Sequence, residues 1–455
     1  MASTSLIRAA CAAALLPLLA AAAGPHTERL SPGGRHTLAE TAARRALVAA
    51  GAGGAGAAAA AAVAPGLAML ATPATAQGSV ATLNVSWTGA PSPQSTDWVA
   101  IYCVGAPISE WGQWTYVTDA PSWASGSGFL SFLVARSCGS VEFRMYRDPS
   151  PYALLGASNA ITWAGGSGAG PFQHRVAYGD EPQTMVTVSW TDMGALDAGA
   201  VVMLGASPGS YELGNFTPAL GSPLSYAAAD LCTSPANTSG PDHWQFPGVF
   251  YHVPLANLTP STRYYYRAVS NGVASATEFN FVTAKPLGAD VATRFVLTAD
   301  MSESGAPGAV DTSARITQRV TTLDDLDFLV HIGDLSYAEG NVAVWNVWMG
   351  LIEPYAAMLP YHVSVGSESD GADVSARAPA PSSLCPLPFP HHPFSDHEYD
   401  YEGVTSKDPS GATQQWRPSW FNGFTDGGGE CGVGTDRRFR MPQTGSSNRV
   451  FWYSL

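Results

Sequence analysis

The sequence predicts a multidomain protein in which two β-sandwiches precede an α/β domain. First, 455 residues are too many for one ordinary hydrophobic core. Second, charged residues make up only 13 %, whereas Gly and Trp are abundant with 47 and 13 copies, a profile that favours β-rich domains over helical bundles. Third, the short alternating runs of the first part give way after residue 290 to continuous apolar runs separated by helical patterns.

Residues 1–78 are predicted to form a targeting and low-complexity region. Met1–Arg8 is short and basic, and Ala9–Ala23 is apolar with small residues at its end, which is typical of a secretory signal. A second Ala-rich run, interrupted by Gly and Pro and therefore not a stable membrane span, leads to the A-x-A pattern Ala74-Thr75-Ala76. The two runs fit either a signal peptide with a linker or a bipartite signal to an organelle lumen. We expect a secreted glycoprotein, with sequons at Asn84, Asn215, Asn237 and Asn257.

Residues 79–165 and 170–286 are each predicted to form an immunoglobulin-like or fibronectin-like β-sandwich. Short strand-like segments in both ranges are separated by Pro, Ser and Gly. None of the six cysteines forms a CxxC pair, which argues against a zinc or redox motif. Cys103 and Cys138 lie in the first range, where they either pair in an oxidising compartment or stay as buried free thiols.

Residues 291–455 are predicted to form the α/β domain. Strands are expected at 294–298, 326–332 and 361–365, with helices at 311–323 and 342–358 between them. This order is typical of a sheet buried on both faces. Ligands of such sheets bind outside the carboxyl ends of the strands. Asp300 and Asp334 follow the first two strands and are therefore expected at that edge.

The side chains after these strands indicate a metal site. Asp300 ends one strand, and Asp334 and Tyr337 follow the next. Oxygen ligands suit Fe(III), Mn or Mg, and a phenolate favours ferric iron. Two such ions can activate water and clamp the oxygens of a displacement reaction. Each Asp alone is alternatively the N-cap of the following helix, but Gly-Asp-x-x-Tyr after a buried strand is a more specific signal.

The stretch His331–Ala338, which reads HIGDLSYA, resembles the second signature of purple acid phosphatases, within the metallophosphoesterase superfamily. Tyr251–Arg267 resembles the fibronectin-like domain of that family, and Ile352–Tyr361 resembles the approach to its third signature. Gly428–Val433 resembles a loop beyond it. The extra N-terminal sandwich resembles large plant-type members. The resemblance implies that residues 291–455 are an incomplete metallophosphoesterase domain.

The resemblance also implies a dinuclear metal centre. Asp300 and Tyr337 would bind Fe(III), and Asp334 would bridge it to a divalent Zn, Mn or Fe ion. The first family signature is D-x-G, whereas Asp300-Met301-Ser302 lacks the Gly. The third signature is G-N-H-E, in which the Asn binds the divalent ion and the His contacts the phosphate.

This third signature is split, with Gly366 on one side and His397-Glu398 on the other. The Pro/Ser/Ala-rich stretch 367–395 between them reads as an insert. One interpretation is a retained intron, because Ser367–Ser369 can be encoded by codons that contain a splice donor, and Ser395-Asp396 by codons that contain an acceptor. The other is a genuine surface insertion in which Asp396 replaces the Asn as metal ligand. In both, His397 is the candidate catalytic residue.

The remaining family ligands are three histidines, and no histidine follows His397 in this sequence. His331 lies inside a predicted strand, so we expect it to pack in the core. Phe451–Leu455 resembles the beginning of a further strand. From the resemblance we therefore expect a C-terminally truncated chain with weak metal binding and little turnover.

The predicted function is that of an acid phosphatase that hydrolyses phosphoric monoesters with a dinuclear metal centre, in an impaired form. Alternatives are a nucleotide pyrophosphatase/phosphodiesterase of the same family and a non-catalytic β-sandwich binding module. The expected partner is a phosphorylated small-molecule substrate, and a homodimer is left open. The net charge of −14 argues against nucleic-acid binding, which depends on Lys and Arg contacts to phosphates.

The split signature makes a prediction about the transcript. If residues 367–395 are a retained intron, amplification of cDNA across codons 366–397 will give a shorter product that encodes Gly-Asn-His-Glu. A transcript population in which every message carries the full insert would contradict the intron and leave the surface insertion.

Overall fold

The computed structural model describes residues 64–365, except for 109, 149–151, 165–169, 198, 213–224, 241–242, 289 and 304. It also describes residues 397–399, 407, 409–411, 427–444, 447–451 and 453–454. The strands are β1 (Ala68–Thr72), β2 (Thr75–Ala76), β3 (Val80–Thr88), β4 (Trp98–Cys103), β5 (Trp111–Tyr116), β6 (Gly128–Ala135), β7 (Ser140–Arg147), β8 (Ala153–Ala157), β9 (Ile161–Trp163), β10 (Phe172–Tyr178), β11 (Val186–Asp192), β12 (Val201–Ser207), β13 (Ser210–Glu212), β14 (Val249–Leu255), β15 (Arg263–Ser270), β16 (Val273–Ala274), β17 (Phe279–Val282), β18 (Phe295–Thr298), β19 (Phe328–His331) and β20 (Tyr361–Val363). The α-helices are α1 (Ala309–Thr322), α2 (Val342–Ala356) and α3 (Val433–Arg438).

Strands β1–β9 form the first β-unit, which has two sheets. One sheet has the order β1-β3-β6 and the other β2-β9-β7-β4-β5, with β8 paired to β7. Along β3 the buried residues are Leu83, Val85 and Trp87, the period of two that a strand with one core-facing side requires. They pack against Phe143 and Trp163 of the other sheet, so both sheets share one core.

The first β-unit begins earlier than we predicted. Strand β1 pairs with β3 along its whole length, and β2 pairs with β9. Ala71 and Ala76 are buried, so the assignment of residues 68–76 to the targeting region is wrong. Their small side chains hid the strand pattern inside an Ala-rich composition. Of the two alternatives left open for Cys103 and Cys138, the structure has the disulfide rather than free thiols.

Strands β10–β17 form the second β-unit. Its sheets have the orders β10-β11-β14 and β13-β12-β15-β16, with β17 paired to β15. Trp190 of β11 is fully buried and stacks on Tyr251 of β14 with ring centroids 5.1 Å apart. Tyr266 and Phe281 of the second sheet belong to the same core.

The third part is the predicted α/β arrangement, and its strand–helix–strand–helix–strand order is confirmed. Strands β18, β19 and β20 are parallel and adjacent in chain order. Helix α1 buries Ala309, Ser313 and Ile316, which lie on one face at helical spacing. Helix α2 is buried on most sides, and Asn341 caps it by accepting a 2.9 Å hydrogen bond from the Ala343 N–H.

Buried polar contacts join the second β-unit to the α/β part. The carboxylate of Glu353 in α2 accepts hydrogen bonds from the backbone N–H of His174 at 2.9 Å and lies 2.7 Å from its ring Nδ1. Arg175 Nε donates to the carbonyl of Arg438, at the end of α3. Since buried polar groups are costly unless paired, these contacts fix the orientation of the two parts.

His331 is fully buried, and its Nδ1 lies 2.6 Å from the Tyr361 hydroxyl, so the expected core role is confirmed.

None of the described helices has the length and apolar character that would let it cross a bilayer.

Acid should destabilise this fold through its buried histidines. Burial lowers the pKa of His362 on β20 from 6.5 to about 3. Between those values the unfolded chain binds a proton that the folded chain excludes, so stability is lost as pH falls through this window, by up to about 1.4 kcal/mol per pH unit. In His362→Leu this loss is absent. The melting temperature of the variant relative to wild type should therefore rise as pH falls from 7 to 5. If the difference between the two melting temperatures stayed constant, the lowered pKa of His362 would be contradicted.

Candidate metal centre

Two loops at the carboxyl edge of the sheet carry the predicted ligands. Asp300 follows β18, and Asp334 and Tyr337 follow β19. All three have positive φ angles, of 52°, 50° and 57°, in the left-handed region that non-glycine residues seldom adopt. The loops also bond to each other, since the Met301 N–H donates to the Asp334 carbonyl at 3.2 Å and the Ser302 N–H to the Leu335 carbonyl at 3.0 Å. The two strand ends are therefore held side by side.

The side chains of Asp300, Asp334 and Tyr337 meet at one point. The Tyr337 hydroxyl lies 2.9 Å from Asp300 Oδ1 and 3.1 Å from Asp334 Oδ2. Burial raises the pKa of Asp334 to about 6, a shift that the Asp300 charge increases and the nearby His397 opposes. Burial and the two carboxylates also raise the pKa of Tyr337. Negative charge is therefore crowded here, and a cation would relieve it.

His397 lies beside this oxygen cluster. Its backbone N–H donates to Asp334 Oδ1 at 3.3 Å, and its ring packs against that of Tyr337 with centroids 3.9 Å apart and planes tilted by 37°. Its Nδ1 forms an ion pair with Glu339 Oε1 at 3.0 Å. Burial lowers the pKa of His397, but Glu339 and Asp334 outweigh it, so the pKa is raised overall. The imidazole is thus favoured in its protonated, positively charged form.

Glu398 connects His397 to the rest of the fold. Its carboxylate is fully buried and accepts a 2.7 Å hydrogen bond from the Leu335 N–H, next to Asp334. Burial and the Asp334 charge raise the pKa of Glu398 to about 8. The His397-Glu398 pair is thereby held against the loop that carries Asp334 and Tyr337.

Sequence reasoning missed two carboxylates near this centre, Glu339 and Glu430. Glu339 stands two residues after Tyr337 on the same loop, and that spacing could have indicated it. Glu430 reaches the loop from 90 residues away, where it accepts from the Gly340 N–H at 2.9 Å. No local pattern could have placed it there.

The side chains at this centre supply part of the ligand shell that one hard cation would need. Two carboxylates and a phenol supply oxygen ligands of the kind that ferric iron, Mn or Mg prefers. Within the ranges that the structure describes, no group of three or more His, Cys, Asp and Glu side chains could hold a metal ion. Asp396 and the insert 367–395 lie outside the described residues. The structure brings together Asp300, Asp334, Tyr337 and His397, and their roles as ligands and as catalytic residue stay predictions.

The parallel sheet thus carries carboxylates, a phenol and an imidazole at its carboxyl edge, and two β-units precede it in the chain. Residues 171–283 match the family described as "Purple acid Phosphatase, N-terminal domain". "Probable inactive purple acid phosphatase 9" of Arabidopsis thaliana is 26 % identical over 401 residues, which are 82 % of this chain and 54 % of that protein. "Probable inactive purple acid phosphatase 24" of the same plant is 25 % identical over 406 residues, covering 80 % and 55 %.

The fold is similar to that of purple acid phosphatase PPD1 from yellow lupin (Lupinus luteus) seeds. The TM-score is 0.62 at 22 % identity, with 86 % of this chain and 64 % of that chain covered. These comparisons confirm the resemblance to the purple acid phosphatases. The chain spans about half the length of the curated relatives that it matches.

The crowded carboxylates predict an unusual effect of Asp334→Asn. Ionised Asp334 destabilises the metal-free fold, because its folded pKa of about 6 lies above its usual 3.8. At neutral pH this cost is about 1–3 kcal/mol, and it shrinks as pH falls toward 4, where the unfolded chain also becomes protonated. In the presence of a chelator, Asp334→Asn should therefore melt at a higher temperature than wild type at pH 7, with a smaller difference at pH 5. A lower melting temperature at pH 7 would contradict the charge crowding.

Proposed function

We propose that this protein is a hydrolase of phosphoric monoesters with a dinuclear metal centre, and that the 455-residue chain is impaired in it. In this proposal two fibronectin-like sandwiches precede a domain of the metallophosphoesterase type. The observation that carries the proposal is the meeting of Asp300, Asp334 and Tyr337 within hydrogen-bond distance at the carboxyl edge of a parallel sheet, with the His397 ring in contact with that of Tyr337.

The roles follow from charge and position. Asp300 and Tyr337 would hold Fe(III), and Asp334 would bridge it to a divalent Zn, Mn or Fe ion, with Asp396 as a further ligand. Bound cations would supply the Lewis acidity that activates water and offsets phosphoryl charge. His397, kept cationic by Glu339, would attract the phosphate and give a proton to the leaving oxygen.

The impairment is proposed from the available ligands. The described centre offers oxygen atoms, while the other buried histidines are engaged elsewhere. His174 contacts Glu353, His331 contacts Tyr361, and His362 Nε2 accepts from the Tyr178 N–H at 3.4 Å. The half-buried His252 lies between Ser189 and the Arg437 carbonyl. Because no imidazole is among the proposed metal ligands of the described residues, we expect weak metal binding and slow turnover. The word "inactive" in the names of the two Arabidopsis relatives supports this expectation.

We also propose that the protein acts in the secretory pathway, with an organelle lumen as the alternative. Two disulfides, Cys103–Cys138 and Cys232–Cys431, support an oxidising compartment. The proposed substrate is a phosphorylated small molecule, and the net charge of −14 speaks against nucleic acid.

The function is tested by metal loading and turnover of the purified chain. With Fe(III), coordination of Tyr337 should produce a visible phenolate-to-iron charge-transfer band that Tyr337→Phe lacks. Hydrolysis of p-nitrophenyl phosphate should be detectable but slow, and Asp334→Asn should lower kcat/KM by at least about 100-fold.

Three outcomes of these measurements would each favour a different function. Faster turnover of ATP than of the simple monoester would favour a nucleotide pyrophosphatase. Neither a band nor turnover in wild type, at any loading, would contradict the enzyme and leave a β-sandwich binding module. Tight binding of two metal ions with rapid turnover would contradict the impairment.

A further inference from the structure

The segment Gly427–Gly432 is here called the bracket. It overlaps a stretch that resembles the purple acid phosphatases, but its residues have no role in the proposed reaction. It lies outside the strands and helices, yet Gly428, Gly429, Glu430 and Cys431 are all buried. It lies between the second β-unit and the candidate metal centre. Its contacts therefore show what a buried loop can do for that centre.

On one side the bracket holds the loop that carries Tyr337 and Glu339. The Glu430 carboxylate, 2 % exposed, accepts hydrogen bonds from the Gly340 N–H at 2.9 Å and from the indole N–H of Trp345 at 2.9 Å. Gly428 packs directly on Glu339, since a Cβ at this position would lie 2.1 Å from the Glu339 carbonyl oxygen. The bracket thus fixes the backbone immediately after Tyr337.

On the other side the bracket holds the residue after His397. The Gly432 N–H donates to the Glu398 carbonyl at 2.7 Å. The Glu398 carboxylate in turn accepts from the Leu335 N–H. One short segment therefore contacts both chain stretches that meet at the candidate centre.

The bracket is itself anchored to the second β-unit. Cys431 forms a disulfide with Cys232, which is 199 residues away in sequence. Next to it, the Cys232 N–H donates to the Gly429 carbonyl at 2.9 Å, and the Ala236 N–H donates to the Gly428 carbonyl at 2.9 Å. The candidate centre is thus connected covalently, through one residue pair, to a domain that supplies none of its ligands.

We propose that the bracket, anchored by Cys232–Cys431, positions the metal centre, and that Glu430 is a positioning residue for it. This inference rests on the proposed function. Asp334, Tyr337 and Glu339 have left-handed backbone conformations, which persist only where surrounding contacts impose them. The Asp300 and Asp334 carboxylates also repel each other without a cation. The bracket opposes both tendencies, so that the oxygen ligands are preorganised before a cation arrives.

The chain offers a matched pair of disulfides for the test. Cys232→Ser/Cys431→Ser removes the anchor of the bracket, whereas Cys103→Ser/Cys138→Ser removes a disulfide of the first β-unit. Mn²⁺ binding is measured by calorimetry on the full chain, with melting temperatures recorded in parallel. We expect both variants to have a lower melting temperature than wild type. Only Cys232→Ser/Cys431→Ser should lose Mn²⁺ affinity, by about 10–100-fold. Equal affinity in both variants would overturn the proposal.

Glu430 variants test the same proposal with both disulfides intact, so that it stays testable if the first variant does not fold. Glu430→Gln keeps a carbonyl oxygen that can accept from Gly340 and Trp345, and should retain Mn²⁺ affinity within about threefold. Glu430→Ala should lower the affinity by at least about tenfold. Equal losses in both variants, or none in Glu430→Ala, would contradict a positioning role.

Asp334→Asn separates failure of this inference from failure of the proposed function. Wild type that binds no Mn²⁺, or binds it as tightly as Asp334→Asn, contradicts the metal centre and with it the bracket. Loss of binding in Asp334→Asn, together with undiminished binding in Cys232→Ser/Cys431→Ser and Glu430→Ala, contradicts the bracket alone.

Discussion

The close approach of the Asp300 and Asp334 carboxylates, joined by the Tyr337 hydroxyl, is the constraint on which the site depends. Burial is the main cause of the raised pKa of Asp334, and the charge of the exposed Asp300 adds to it. A folded chain keeps such an arrangement only when other contacts stabilise it. Functional sites commonly carry a local cost of this kind, which the remainder of the structure must offset.

Several parts of the structure share that task. Parallel pairing of β18 and β19 places the two strand ends next to each other. Glu339 pairs with the His397 imidazole, and Glu398, the next residue, accepts a hydrogen bond from the Leu335 N–H. The bracket and its disulfide add a connection to the second β-unit. The β-units therefore contribute to the candidate centre although they supply none of its described ligands.

Much of this architecture was readable from the sequence, because it depends on local periodicity. Buried alternation along β3 and the apolar runs of β18 and β19 predicted their elements directly. The same approach failed at β1 and β2, because alternation between apolar and polar residues is not visible in an Ala-rich sequence. These two strands are positioned by their pairing with β3 and β9. The parallel order of the α/β strands predicted that Asp300 and Asp334 would share an edge, and the distances bear this out.

By itself, then, the sequence determined the strand and helix order, the resemblance to purple acid phosphatases, and the residues Asp300, Asp334, Tyr337 and His397 as candidates. These follow from patterns within a few neighbouring residues. Only the tertiary structure decided that Glu339 pairs with His397 and that Glu430 supports the Tyr337 loop from 90 positions away. It also decided that Cys431 pairs with Cys232, across 199 residues. Such contacts depend on how distant segments pack, and no local spacing encodes them.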